Sequence, residues 1–288
     1  MSREKIWIAG ADGRLGHAIY EILDRVSEYT VLTTDRDVDV TDLEQVMEYA
    51  AINRPDFVVN CVGLTDPAFC EQNMIEAYKI NALGARNLAA ASRRIGAAIL
   101  QISTDDVFSG ENKGLLTEFD TPDPVTVYGK SKLAGENFVR ELNPKHVIIR
   151  TSWLYGFGES DFVTKVIGKA KAGEKITVPM DQISSPTSAR ELSRFVRKLI
   201  KSQEFGIFHA SCEGECSRVD FVKTILKMEG IDGIDGIVEG VLQGSGDSPT
   251  LRPCYTRLEN LMMKMTGIYS MMPWEDALKE YMEDRKKS

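Results

Sequence analysis

Over the first half of the chain, short continuous apolar runs alternate with longer stretches of helical period. "KIWIAG" (5–10) closes on glycine and "TVLTTD" (30–35) on an acid; "DFVVNCVG" (56–63), "AAILQIST" (97–104) and "HVIIRTSWL" (146–154) have the length and content of buried strands. Between them the spacing predicts helices from Arg14 to Ser27, behind a capping Thr41 or Asp42, from about Met74 to Ile95, and over "GKSKLAGENFVREL" (129–142). Apolar strands with no polar face, alternating with helices, predict an α/β fold: a Rossmann-type doubly wound parallel sheet covered on both sides.

After about Tyr155 the rhythm loosens. A helix at 161–172, the short strand "KITVP", a helix over "PTSARELSRFVRKLI" (186–200) and a strand "GIFHAS" (206–211) are expected. The glycine-rich stretch 229–250 reads as loops around a short strand, and "PWEDALKEYMEDRKK" as a C-terminal amphipathic helix. The expected division is a nucleotide-binding domain at 1–154, with segments of about 177–210 returning to it, and a smaller substrate lobe from 155 to 288.

Composition narrows the classes. Of 288 residues, 43% are hydrophobic and 27% charged, enough for a real core. A net charge of −8, spread along the chain, argues against a nucleic-acid or anionic-membrane partner. The N-terminus lacks an apolar signal core, and no run of eighteen apolar residues could span a membrane. Five scattered cysteines, with three residues inside "CEGEC", and three distant histidines fit neither a disulfide framework nor a metal site. A reducing cytoplasm is the expected compartment.

The chemistry begins in "GADGRLG". Gly10, Gly13 and Gly16, with Asp12, Arg14 and Leu15 between and beside them, join the first strand to the first helix. Glycine there permits a tight turn and close backbone approach to a pyrophosphate, which the helix-start N–H groups can bind. Asp35 follows 19 residues after Gly16 and can accept from a ribose hydroxyl. A carboxylate at that point favours NAD, whereas Arg36 beside it could receive the 2′-phosphate of NADP, so both cofactors stay open; a solvated loop is the plain alternative for the two residues.

"YGKSKLAGE" (128–136) sets Tyr128 and Lys132 four apart, on one helix face. A nearby ammonium stabilises a phenolate, so the pair is expected to bring the tyrosine pKa down toward the working range and let it protonate a carbonyl oxygen as hydride arrives. Thr104, at the end of a strand 24 residues earlier, can hydrogen-bond the same oxygen.

With Gly10/Gly13/Gly16, Thr104 and Tyr128/Lys132 in place, the chain resembles the extended short-chain dehydrogenase/reductases. Within them it is similar to the dTDP-4-dehydrorhamnose reductase family, through "DVTD" (39–42), "STDDVFSG" (103–110), "TVYGKSKLAGE" (126–136), "RTSWLYG" (150–156), "DQISSPTSARELS" (181–193), "FHASCEGECSRVDF" (208–221), "LRPCYTRLE" (251–259) and "PWEDAL" (273–278). These run in family order over nearly the whole length.

The resemblance implies that NADPH or NADH reduces the 4-keto group of a nucleotide-linked deoxysugar in polysaccharide biosynthesis. Tyr128 would be the acid, Lys132 would bind the nicotinamide ribose and tune Tyr128, and Thr104 would polarise the keto oxygen. Asp39 and Val40 would lie by the adenine, and Asn60, Cys61 and Gly63 would border the cofactor. On the substrate side stand Thr65, Asp106, Trp153, expected against the sugar, and Arg252, a candidate for the diphosphate. As plain alternatives, Trp153 could be core, Arg252 a surface turn, Thr65 a cap and "DVTD" a helix start.

Two departures fall on the substrate side. Asp106 stands where the family usually carries tyrosine, and Leu64 replaces another tyrosine ahead of Pro67, Ala68 and Phe69. An epimerase or dehydratase of the same superfamily, which "TDD" (104–106) brings to mind, and a non-catalytic NADP-binding subunit like that of methionine adenosyltransferase are the competing readings. The resemblance allows a monomer or a homodimer.

Overall fold

A computed structural model describes residues 3–158, 161–202, 204–243 and 252–287. Six parallel strands form the central sheet: β1 (Glu4–Ala9), β2 (Tyr29–Thr34), β3 (Phe57–Asn60), β4 (Ala98–Thr104), β5 (His146–Thr151) and, from far along the chain, β10 (Gly206–His209). Their order is β10-β5-β4-β3-β1-β2. The chain leaves β1 for β2 on one side and returns to β3 on the other, so the order reverses between β1 and β3. Open α/β sheets bind ligands at such a reversal, outside the carboxyl ends of the strands.

Helices α1 (Arg14–Asp24), α2 (Leu43–Asn53), α5 (Ala85–Ile95), α6 (Val127–Leu142) and α8 (Ala189–Ser202) cover the faces of the sheet. One core cluster joins Ile6, Ile8, Leu100 and Ile149 to Leu15, Phe195 and Phe208; the other joins Trp7, Val58, Ile99 and Ile148 to Val46 and Leu88. Burial of aliphatic strands on both faces is what the unbroken apolar runs dictated.

Several elements differ in extent from the sequence expectation. The helix expected from Met74 to Ile95 is preceded by α3 (Pro67–Gln72) and divides into α4 (Met74–Tyr78), a π-helical segment (Lys79–Gly84) and α5. The widened turn lets buried Asn81 bond the backbone of Leu64, N–H at 2.8 Å and C=O at 3.1 Å, and the Ser131 hydroxyl at 2.9 Å. The run expected as a strand through Leu154 stops at Thr151, because Trp153 adopts φ 41° and turns the chain into β6 (Leu154–Tyr155). Asp42, not Thr41, caps α2, accepting from the N–H of Glu44 and Gln45.

The second half adds α7 (Phe162–Lys171), β7 (Ile176–Pro179), β8 (Ile183–Ser184), β9 (Thr187–Ser188), β11 (Cys216–Ser217), α9 (Arg218–Glu229), α10 (Ile234–Ile237), β12 (Val238–Val241), α11 (Leu261–Thr266) and α12 (Trp274–Arg285). Its short strands pair as β6-β9, β8-β11 and β7-β12, while α8 packs on α1 and β10 extends the main sheet beside β5. The N-terminal part of the segment expected as a helix from 186 is therefore β9, drawn into pairing with β6. Residues 244–250 of the glycine-rich stretch, and Leu251, lie outside the described residues. Among the described residues no helix is long and apolar enough to cross a membrane.

Candidate active site

The β1–α1 turn lies at the sheet reversal. Gly10 has φ 82°, and a Cβ there would sit 2.8 Å from the Val62 backbone nitrogen, so the loops after β1 and β3 touch through a residue that must be glycine. Gly13 is the N-cap of α1; no side chain caps that end and no acid occupies its first turn. By contrast Asp42, Asp66, Thr126, Asp161 and Ser217 cap α2, α3, α6, α7 and α9. The N–H groups opening α1 at Arg14, Leu15 and Gly16 are thus free of a side-chain cap, as an anionic phosphate requires.

Asp35 stands beside this loop, its carboxylate accepting from the Asp12 N–H at 3.2 Å. Arg36 is exposed. Leu15 is core. Arg14 reaches the other way, to the Leu154 carbonyl at 3.4 Å and the buried Asp161 carboxylate at 3.8 Å, tying the glycine turn to α7. Asn60 is buried and fixed, donating to Gln101 at 2.6 Å and accepting from the Val62 N–H. Cys61 follows, its thiol pushed up to about 12 by burial and so held protonated. Asp39 spends its carboxylate on Thr41, and Val40 is packed in the core under Gly84. These residues fit a dinucleotide: an open helix end, a glycine turn and an acid at the end of β2.

Thr104, Tyr128 and Lys132 converge at the carboxyl end of β4. Thr126 caps α6 by accepting from the Gly129 N–H at 3.0 Å. A Cβ on Gly129 would lie 2.0 Å from the Asp106 carbonyl oxygen, so the absent side chain lets the turn after β4 seat directly on the first turn of α6. Tyr128 is buried, with the Thr104 hydroxyl near enough to bear on its phenol. Lys132 Nζ donates to the Ile102 carbonyl at 2.6 Å and lies close to where a Cβ on Gly63 would be.

The electrostatics depart from the expectation for Tyr128. Burial, and then the Asp106 carboxylate, push its phenol above the ordinary tyrosine value, while the Thr104 hydroxyl and the Arg252 charge pull the other way. Lys132, engaged with Ile102, is not what sets that balance. Burial brings the Lys132 ammonium down to about 8 against the opposing pull of Glu136 and then Cys61. The phenol therefore keeps its proton through the working range, as a weaker acid than free tyrosine.

The substrate side is organised by Asp106. It is buried, and Arg252 Nη2 donates to both its oxygens at 2.9 and 3.0 Å. Burial would lower the Arg252 guanidinium, but Asp106 and then Asp105 outweigh it and leave it raised. Arg252 flanks a cleft of about 690 Å³ with Thr126, Val125, Ser109, Gly110 and Gln243. Trp153, with its left-handed backbone, carries the Arg218 guanidinium 3.4 Å above its ring. Such a φ in a bulky residue costs about 1–2 kcal/mol and persists only where surroundings impose it. Thr65 is exposed on the loop before α3, whose cap is Asp66. Leu64 packs with Tyr128, Cys70 and Ala77; Phe69 is exposed.

Sequence reasoning missed three contributors. Asp105 is buried, accepting from Thr256, Ser184 and Thr104, and burial followed by Asp106 raises it to about 6. Arg218 lies beside Arg252, whose like charge adds to burial in depressing its guanidinium. Glu136 lies behind Lys132. Glu136 and Asp105 carried a signal, the four-residue step from Lys132 and the acid beside Thr104 in "TDD"; Arg218 carried none. Among the described residues no group of three or more His, Cys, Asp or Glu side chains is placed to hold a metal ion.

The family profile described as RmlD substrate binding domain matches residues 4–287. The spore coat polysaccharide biosynthesis protein SpsK of Bacillus subtilis (strain 168) is 36% identical over 281 residues, 98% of each chain. A dTDP-4-dehydrorhamnose reductase structure from Clostridium acetobutylicum superposes with TM-score 0.94 at 42% identity, covering 98% of this chain and 99% of that one. The enzyme of the same name from Bacillus anthracis, in complex with NADP, gives TM-score 0.93 at 35% identity with the same coverage.

Proposed function

This chain belongs to the dTDP-4-dehydrorhamnose reductase family and is an oxidoreductase, and from that premise we propose that it reduces the 4-keto group of a nucleotide-linked deoxysugar, with Tyr128 as proton donor. The observation that carries this is the meeting of Tyr128 with Thr104 at the end of β4, with Lys132 one turn along α6, beside an uncapped helix start at the sheet reversal. NADPH or NADH bound along the glycine turn would supply the hydride. NADP in the Bacillus anthracis relative and Asp35 beside the turn here support the two cofactors unequally, so both belong in the assay.

The roles follow from position. Thr104 and Tyr128 offer two hydroxyls from the same side, and a keto oxygen set between them would be polarised before it receives the phenolic proton. Lys132 would hold the nicotinamide ribose. Trp153, backed by Arg218, offers a flat apolar wall for a sugar face. Arg218 and Arg252 would face the diphosphate, Arg252 with half its charge already answered by Asp106. The second-half elements around β7, β8 and α9 would form the substrate lobe.

Of the competing chemistries, the adjacent acids Asp105 and Asp106 favour a dehydratase; their engagement with Thr256, Ser184 and Arg252 weighs against either acting as a free base. The test is a panel of 4-keto sugar nucleotides with NADPH and NADH, on protein purified without bound cofactor. Stoichiometric cofactor oxidation is expected, and Tyr128→Phe should lower kcat by about 10²–10⁴-fold while leaving cofactor affinity nearly intact. Cofactor binding without oxidation on any member of the panel would favour the regulatory-subunit reading, and full turnover by Tyr128→Phe would remove its role as acid.

A further inference from the structure

Glu136 is wholly buried and takes no direct part in the reduction described above. It stands four residues after Lys132, which stands four after Tyr128, so the three form one stripe along α6. Each member of the stripe meets β4 or its end. Tyr128 lies by Thr104, Lys132 donates to the Ile102 carbonyl at 2.6 Å, and Glu136 accepts from the Ser103 hydroxyl at 2.5 Å. The helix with the proton donor and the strand with the polarising threonine are thus stitched at three consecutive strand residues.

Behind Glu136 a polar row crosses three strands. Ser103, Arg150 and His209 are register partners on β4, β5 and β10. Arg150 donates to Glu136 from Nε at 3.1 Å and from Nη2 at 2.8 Å, and its Nη1 lies 3.5 Å from His209 Nε2. His209 Nδ1 donates to the Leu116 carbonyl at 3.0 Å, which leaves Nε2 as the acceptor facing Arg150. A buried carboxylate that merely filled space would leave an uncompensated charge; this one is paired with Arg150, and Lys132 stands one helical turn away.

We propose that Glu136, with Arg150 behind it, is a positioning residue: it fixes α6 against β4 at the depth where Tyr128 meets Thr104 and supplies the counter-charge that keeps Lys132 an ammonium. The inference rests on the reading of Tyr128 and Lys132 as the reducing pair. The titratable groups bearing on Lys132 are Glu136 on its own helix and the protonated Cys61 thiol after β3. Glu136 exerts the largest upward pull on Lys132, with Cys61 next.

The test follows the Lys132 Cε resonance with pH in ¹³C-lysine-labelled, cofactor-free protein, assigned by its loss in Lys132→Met. In Glu136→Gln the midpoint should fall by about one to three pH units, and the alkaline limb of kcat/KM should move down with it. Glu136→Gln/Arg150→Gln removes a buried charge of each sign together, so neither is left unpartnered, and should also show a fall, reduced by the loss of the Arg150 charge. A wild-type midpoint in Glu136→Gln would overturn the proposal, as would a midpoint not below wild type in the double variant where the single variant does not fold. Tyr128→Phe separates the two readings. If it turns over normally, the reducing pair is wrong; if it collapses while the Glu136 variants titrate as wild type, only the positioning role is wrong.

Discussion

At Asp106 the chain places a carboxylate where its family usually carries tyrosine, and the structure gives that carboxylate to Arg252. Sequence alone placed it on the substrate side without naming a partner. The carboxylate is 3% exposed and the arginine 32%, so the pair is mostly desolvated and Arg252 stays the open side that an incoming anion can reach. Asp106→Asn should free Arg252 and tighten binding of a nucleoside diphosphate by about threefold, as read by calorimetry. Weaker binding would instead mean that the carboxylate itself touches the substrate. Tyr128 teaches the complementary point. Four-residue spacing from Lys132 was legible in the sequence, but which charge dominates the phenol was not, because Asp106 reaches it through the turn after β4 rather than along α6.

At the scale of elements, the glycine turn, the strands and a cap for α2 were readable because each depends on neighbours within a few residues. The π-helical segment was not, since it answers to Leu64 and Ser131, distant in the chain. The same holds for the contact between α6 and the turn after β4. Gly129→Ala would place a methyl group on the Asp106 carbonyl and force one element to move; it should cost about 1–3 kcal/mol in urea unfolding. Turnover should fall more than that loss of folded protein accounts for, because Thr104 and Tyr128 are carried by the two elements forced apart. An alanine variant with unchanged kcat would show that the close approach serves packing alone.

For the whole molecule, two buried titratable groups set opposing demands on pH. Burial and then Arg150 push His209 down to about 3, so its contribution to stability is present above the unfolded value near 6.5 and is lost as pH falls toward 3. Asp105 is the reverse. Raised to about 6, it stabilises fully below about 4, and that contribution is lost as pH rises through 6. Asp105→Asn should therefore gain on the wild type between pH 4.5 and 7.5, by an amount of order 2 kcal/mol in unfolding free energy. A pH-independent difference would mean that the Thr256 and Ser184 hydroxyls hold the carboxylate ionised throughout.

Hydrophobic period and turn chemistry, both local, determined by themselves the doubly wound sheet, the glycine turn with Asp35 beside it, and the stripe bearing Tyr128 and Lys132. Which side chains complete the site was decided only by the tertiary structure. Arg252 comes to Asp106 from 146 residues away, Thr256 to Asp105 from 151, and Arg218 to Trp153 across 65 residues (218 − 153). The physical reason is desolvation: a buried charge must find its partner, and the fold, not the spacing, decides which partner lies within reach.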